Sequence, residues 1–116
     1  MYLVAYVYTV PQRRRRGRGR GRRWISGFPE SDFFQPRGID PGNLNVITLT
    51  LEELEAVRLV DLLGLTQEEA AVQMGVSRKT FWNDLRSARK KVAMALVRGF
   101  ALRIEGGNYV LRGEVR

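Results

Sequence analysis

The chain has 116 residues, enough for one domain and a tail. It contains no cysteine and no histidine, which excludes disulfides, thiol nucleophiles, Cys/His zinc sites and histidine general bases. Its net charge of +8 is local: residues 13–23 hold eight arginines, and the other twelve basic residues balance twelve acidic ones.

Residues 1–10 (Met-Tyr-Leu-Val-Ala-Tyr-Val-Tyr-Thr-Val) are β-branched and aromatic, so a strand is predicted, ended by Pro11. The stretch is far short of the roughly 20 residues that span a bilayer, and no small-residue cleavage site follows it. Left exposed, it would be a sticky edge, so it is expected either to pair or to be missing from the natural product.

Residues 12–23 alternate arginine (Arg13, Arg14, Arg15, Arg16, Arg18, Arg20, Arg22, Arg23) with Gly17, Gly19 and Gly21. Like charges repel and nothing apolar is available to bury, so a disordered basic N-terminal arm is predicted. Arginines of this kind suit a narrow minor groove, and arginine-glycine runs also bind RNA without sequence preference.

Residues 24–49 are predicted irregular because Pro29, Pro36 and Pro41 break any helix. Trp24, Phe28, Phe33 and Phe34 are expected to anchor the segment on the domain, with a base-stacking platform as the alternative. Residues 46–49 read as a short strand. Thr50 and Glu53 form a capping box that opens a helix running to about Leu63 and ending at Gly64. Leu51, Leu54, Val57, Leu59, Val60, Leu62 and Leu63 make that helix nearly apolar all round at its end, which predicts packing on several sides.

Thr66 and Glu69 form a second capping box. Ala70, Ala71 and Met74 follow at helical spacing, Gly75 closes the helix, Val76 plugs the gap and Ser77 caps the next helix. Phe81, Leu85, Ala88 and Val92 then continue a buried stripe, and the helix can run to about Arg98 before Gly99. On its remaining surface lie Arg78, Lys79, Trp82, Asn83, Arg86, Arg89 and Lys90. Two helices joined by a tight turn, the second with a cationic outer face, predict a helix-turn-helix that enters a major groove. Acids cluster in residues 52–69 and cations in 78–91, so one face is aimed at a polyanion. Residues 100–104 and 109–111 flank Glu105-Gly106-Gly107-Asn108, which reads as a β-hairpin. That hairpin would act as a wing, pair with residues 46–49, or pair with a second subunit.

The stretch from Leu49 to Tyr109 resembles a family of small prokaryotic predicted DNA-binding proteins. The resemblance rests on Leu-Thr-Leu-Glu-Glu-Leu-Glu-Ala-Val-Arg-Leu-Val-Asp, Gln-Glu-Glu-Ala-Ala, Gly-Val-Ser-Arg-Lys-Thr-Phe and Leu-Arg-Ile-Glu-Gly-Gly-Asn-Tyr. It extends to about residues 20–111 through the basic residues and Phe28-Pro29-Glu30. The family's helix-turn-helix is similar to region four of bacterial sigma factors, which implies base contacts from Arg78, Lys79, Trp82, Asn83 and Arg86. Relatives often begin at the basic arm, so residues 1–12 read as an extension. Relatives also often carry two cysteines near the arm's end, where this chain has Arg22 and Ser26, so no metal or redox sensing carries over.

The expected fold is thus mainly α: a three-helix helix-turn-helix domain (50–99), a C-terminal β-hairpin (100–112) and a disordered basic arm (13–23). The expected function is sequence-specific binding of double-stranded DNA in transcription regulation, in the cytoplasm, with no cofactor, no membrane and no catalysis. Arg78, Lys79, Asn83 and Arg86 would read base edges, while Arg89, Lys90, Lys91 and the arm's arginines would hold phosphates or the minor groove. Trp82 would meet a thymine methyl or the backbone, or be a half-buried packing residue. A homodimer is favoured because one helix reads few base pairs. The alternatives are an RNA-binding or ribosome-associated protein and a module that docks on RNA polymerase.

Overall fold

The computed structural model describes residues 22–112. The expected strand at 1–10 and residues 13–21 of the arm lie outside them. In chain order the described residues form β1 (Arg23–Ile25), β2 (Phe33–Phe34), β3 (Val46–Leu49), α1 (Leu51–Val57), α2 (Gln67–Met74), α3 (Arg78–Arg98), β4 (Ala101–Ile104) and β5 (Tyr109–Leu111). A 3-10 turn at Pro41–Asn43 precedes β3, and a π-helical turn at Arg58–Leu62 extends α1.

Local chemistry starts and stops the helices as the sequence predicts. Thr50 Oγ1 accepts from the Glu53 amide at 3.2 Å while the Glu53 carboxylate accepts from the Thr50 amide at 2.9 Å. Thr66 and Glu69 repeat the pair at 3.1 and 2.9 Å. Gly75 ends α2 in the left-handed region at φ 70°, a conformation that a β-carbon disfavours. Ser77 Oγ then accepts from the Thr80 amide at 3.1 Å and opens α3.

Two core clusters meet on α1 and α3. In the first, Ala56 and Leu59 of the first helical segment pack with Ala70, Ala71 and Met74 of α2 and Phe81 and Leu85 of α3, and Val76 plugs the turn. Phe81, Met74 and Leu85 are fully buried, each contributing about 1.5–3 kcal/mol by leaving water. In the second cluster, Ile25, Leu49, Leu51, Ala88 and Ile104 bring the strands onto the helices, with Val57 packed against both clusters. Val92 is half-buried, so the stripe on α3 keeps its predicted register.

The predicted C-terminal hairpin does not form. β4 pairs in parallel with β3, in the register Val46↔Ala101 to Leu49↔Ile104, and antiparallel with β2. β5 pairs in parallel with β1, from Arg23↔Tyr109 to Ile25↔Leu111. Gly106 and Gly107 do take positive φ, as a turn requires. The turn, however, is drawn across the start of α1: Leu51 N donates to Gly106 O at 3.1 Å, and the Glu52 carboxylate accepts from Asn108 N at 3.0 Å. Those bonds send β5 away from β4 toward β1. Of the three predicted roles, pairing with residues 46–49 is the one realised, by β4.

The end of the first helical segment also differs from expectation. Leu62 and Leu63 are exposed at 74% and 52%. Leu65 N reaches back to Leu59 O at 3.0 Å, which turns Leu65 onto the core and leaves the two preceding leucines outside. The predicted strand at 46–49 forms as β3, and the residues before it are less irregular than predicted, since β1 runs into them and β2 lies among them. Phe28 packs on the second cluster, edge to face with Tyr109 at 6.0 Å, whereas Phe34 is 53% exposed.

Candidate nucleic-acid interface

The cationic face is built by α3, whose orientation is set by the burial of Phe81, Leu85 and Ala88 against α1 and α2. Burying that stripe leaves Arg78, Lys79, Trp82, Asn83, Arg86, Arg89 and Lys90 exposed on the opposite side. Arg78, Lys79, Arg86 and Lys90 make no ion pair with any described residue. At the first turn of α3, Arg78, Lys79 and Trp82 line an open cleft of about 510 Å³ together with Gln67, the first residue of α2. Trp82 keeps 39% of its surface exposed there, so it is both packed and reachable. Gln67 was not among the residues singled out from sequence. The available signal was its place directly after the Thr66 cap, where helix amides are unsatisfied and suit an anion.

The remaining expected phosphate contacts divide. Arg89 is exposed and forms a two-point pair with Asp61 at 2.8 and 3.1 Å, and that hydrogen bond holds the Asp61 carboxyl below its ordinary range. Lys91 is half-buried and donates to Glu53 at 2.7 Å and to the Thr48 carbonyl at 2.8 Å. Arg23, placed on the disordered arm by the sequence reading, is instead the first residue of β1. Its guanidinium holds Asp84 of α3 at 2.9 and 3.1 Å, with both side chains less than a fifth exposed. Arg22 is exposed. Arg13, Arg14, Arg15, Arg16, Arg18 and Arg20 lie outside the described residues.

Beneath this face, three nearly buried carboxylates of α1 hold three different parts of the chain. Glu52 accepts from Asn108 N, and burial pushes its carboxyl above the ordinary range. Burial acts the same way on Glu53, but Lys91 and Ser87 of α3 outweigh it and hold Glu53 low. Glu55 accepts from the Ser26 amide and hydroxyl at 3.2 and 2.9 Å and pairs with Arg58 at 2.9 Å. First-turn placement alone does not explain these acids; they fasten α3 and the strands to α1. The Trp24 ring lies against the turn at Gly75 and under the Arg112 guanidinium, 5.4 Å from its centroid. Those contacts fit the expected anchoring role, with 46% of Trp24 left exposed.

Among the described residues no helix is long and apolar enough to cross a membrane. A compact arrangement of three helices with short strands, carrying one exposed cationic helix face, is the class of protein these observations define. Residues 13–112 match the family described as "Protein of unknown function DUF134", and the chain belongs to that family. It is 55% identical over 92 residues to a "UPF0251 protein" of Methanocella arvoryzae, covering 79% of this chain and 55% of that protein. A "UPF0251 protein" of Methanosarcina acetivorans is 53% identical over 88 residues, covering 76% of this chain and 79% of the relative. One from Caldanaerobacter subterraneus is 53% identical over 92 residues, covering 79% and 78%. The chain therefore spans about half of the Methanocella relative's length and nearly four-fifths of the other two. No solved structure matches the chain.

Proposed function

We propose that this chain is a sequence-specific duplex DNA-binding protein that regulates transcription, and that α2, its turn and α3 act as a helix-turn-helix of the sigma region-four kind. The observation that carries the reading is the split among the cations of α3. Arg89 and Lys91 are matched to acids of the first helical segment, while Arg78, Lys79, Arg86 and Lys90 stay exposed and unmatched by any described residue. Any helix packed on a core turns its charged residues outward, so the support lies in their single sign, the lack of a described acid paired with them, and the cleft that Arg78, Lys79 and Trp82 share with Gln67.

In this reading α3 enters the major groove. Arg78, Lys79 and Arg86 hydrogen-bond guanine edges, Asn83 an adenine edge, and Trp82 meets a thymine methyl or the sugar-phosphate wall. Lys90 holds a phosphate, and Arg89 exchanges Asp61 for one. Gln67 and the first amides of α2 face the backbone across the groove. The arm adds salt-sensitive affinity, and two copies on adjoining half-sites would extend the few base pairs that one helix reads. Binding needs no cofactor and involves no bond-making.

The test is selection of bound sequences from random duplex DNA in the presence of excess single-stranded RNA. A single enriched motif that survives the RNA supports the reading. Enrichment of no motif, with binding competed away by RNA, would replace it with the RNA-binding alternative.

A further inference from the structure

Adjacent residues of β1 project to opposite faces of the strand, and the two faces serve different helices. Arg23 turns toward α3, where its guanidinium holds both carboxylate oxygens of Asp84 at 2.9 and 3.1 Å. Ile25 lies on the same face and is buried in one cluster with Ala88 of α3. Trp24 turns the other way, toward the end of α2, and a β-carbon at Gly75 would stand 3.5 Å from its ring. β5 adds a second grip on α2 through Arg112. Its amide donates to Ile25 O at 2.7 Å, which fixes the residue beside β1. Its guanidinium lies over the Trp24 ring and donates to Gln73 O, one of the last carbonyls of α2, at 2.7 Å. The two strands thus stand between the end of α2 and the middle of α3. Ser26, just past β1, donates its amide and hydroxyl to Glu55, so the strands are themselves tied to α1.

The direct contact between α2 and α3 is a poor gauge of their angle. α2 has 8 residues, a length of about 12 Å, and buries Ala70, Ala71 and Met74. Crossing angles are set by side chains of one helix seated between those of the other, and alanines offer only shallow ridges. A swing of about 10° at the turn would move the start of α2 by about 2 Å, well beyond the tolerance of a hydrogen bond.

We propose that β1, backed by β5, is a wedge that sets the angle between α2 and α3, with Trp24 and Arg112 as its positioning residues. The consequence for recognition rests on the DNA-binding reading above. In that reading Gln67 at the start of α2 and the outer face of α3 meet one duplex, so the angle decides whether both reach it together. Trp24 and Arg112 then govern sequence preference through the two helices, without touching a base.

The chain has no cysteine, so Glu68→Cys at the start of α2 and Val97→Cys near the end of α3 can carry a pair of spin labels in the full-length protein. Without DNA, the label distance should be narrowly distributed in the labelled parent and in Trp24→Phe, which keeps a ring on the turn. Trp24→Ala should shift that distribution or broaden it at least twofold. Ile104→Ala, in the second cluster, loses packing without touching the wedge, and its distribution should stay narrow. On DNA, Trp24→Ala should lose at least tenfold of the parent's preference for a selected duplex over a random one. Binding to the random duplex and its salt dependence should hold, because the cations of α3 are untouched, and Ile104→Ala should keep the preference. Where Trp24→Ala melts below the working temperature, Arg112→Met takes its place, since it removes both the cation over the ring and the bond to Gln73. An unchanged label distance, or equal broadening in Ile104→Ala, would overturn the wedge. A changed distance with the preference intact would overturn its part in recognition. A parent that prefers no duplex would remove the DNA reading, and the label distances would still decide whether the wedge sets the angle.

Discussion

The first helical segment and α3 use charge in opposite ways. Glu52, Glu53 and Glu55 of α1 are nearly buried, and each is bound to a residue far away in the chain. The cations on the outer face of α3 are exposed, and four of them are matched by no described residue. The acids hold the fold, whereas these four cations tie down no described part of it. Neighbouring surfaces of one small protein thus carry similar numbers of charged residues with different consequences, and composition by itself does not distinguish them.

The sharpest break in that contrast comes from removing the element that holds both sides. Phe81→Ala empties the centre of the first cluster and should lower unfolding free energy by about 3–5 kcal/mol in a denaturant titration. A variant that unfolds like its parent would mean that the stripe on α3 is not buried as described.

Next in size are substitutions on each side of the contrast. Glu53→Ala leaves Lys91 half-buried and removes the tie to Ser87, and should cost about 1–3 kcal/mol of stability with little change in the salt dependence of DNA binding. Arg86→Ala or Asn83→Ala should do the reverse. Stability should stay within about 0.5 kcal/mol, and binding to the preferred duplex should weaken by about 1–3 kcal/mol with relaxed preference at one or two base pairs. Lys90→Ala should weaken all duplexes alike. Equal losses on every sequence for all three variants would remove the base-reading role of α3.

The arm should be cut after residue 21, because Arg23 belongs to β1 and Arg22 adjoins it. That deletion removes six arginines. If half of them touch phosphates, the slope of log affinity against log salt should become shallower by roughly 3. An unchanged slope would place the arm's partner elsewhere.

The smallest effect separates two adjacent acids. Glu52 has a folded-state pKa raised above its ordinary 4.5, so its contribution to stability is fully present below 4.5 and is lost as pH rises through the raised value. Glu53 is lowered, so its contribution is present above 4.5 and is lost as pH falls through the lowered value. Measured from pH 7 down to pH 4, the parent should therefore gain stability relative to Glu52→Gln and lose it relative to Glu53→Gln. Parallel trends for the two variants would contradict the assignment of opposite environments.

Local sequence signals settle the structure within one or two helical turns of themselves. Thr50 with Glu53, Thr66 with Glu69, Gly75, Ser77 and Gly99 mark helix ends through bonds between residues three or four apart, and Phe81, Leu85 and Ala88 set the buried side of α3. The cationic face follows from that register, and so most of the candidate site was legible. The resemblance, resting on blocks such as Gln-Glu-Glu-Ala-Ala, led to the family that residues 13–112 match. Tertiary structure alone decided which strands pair, since residues 105–108 are a sound turn whose direction is set by Leu51 and Glu52. It also decided which charges are neutralised: Asp61 and Arg89 are 28 residues apart, and Arg23 and Asp84 are 61 apart. Local periodicity reports the side of an element that turns inward, because that depends on backbone geometry repeated every few residues. It carries no information on which distant group waits there, and that choice separated the cations that hold this protein together from those that stay exposed and unmatched among the described residues.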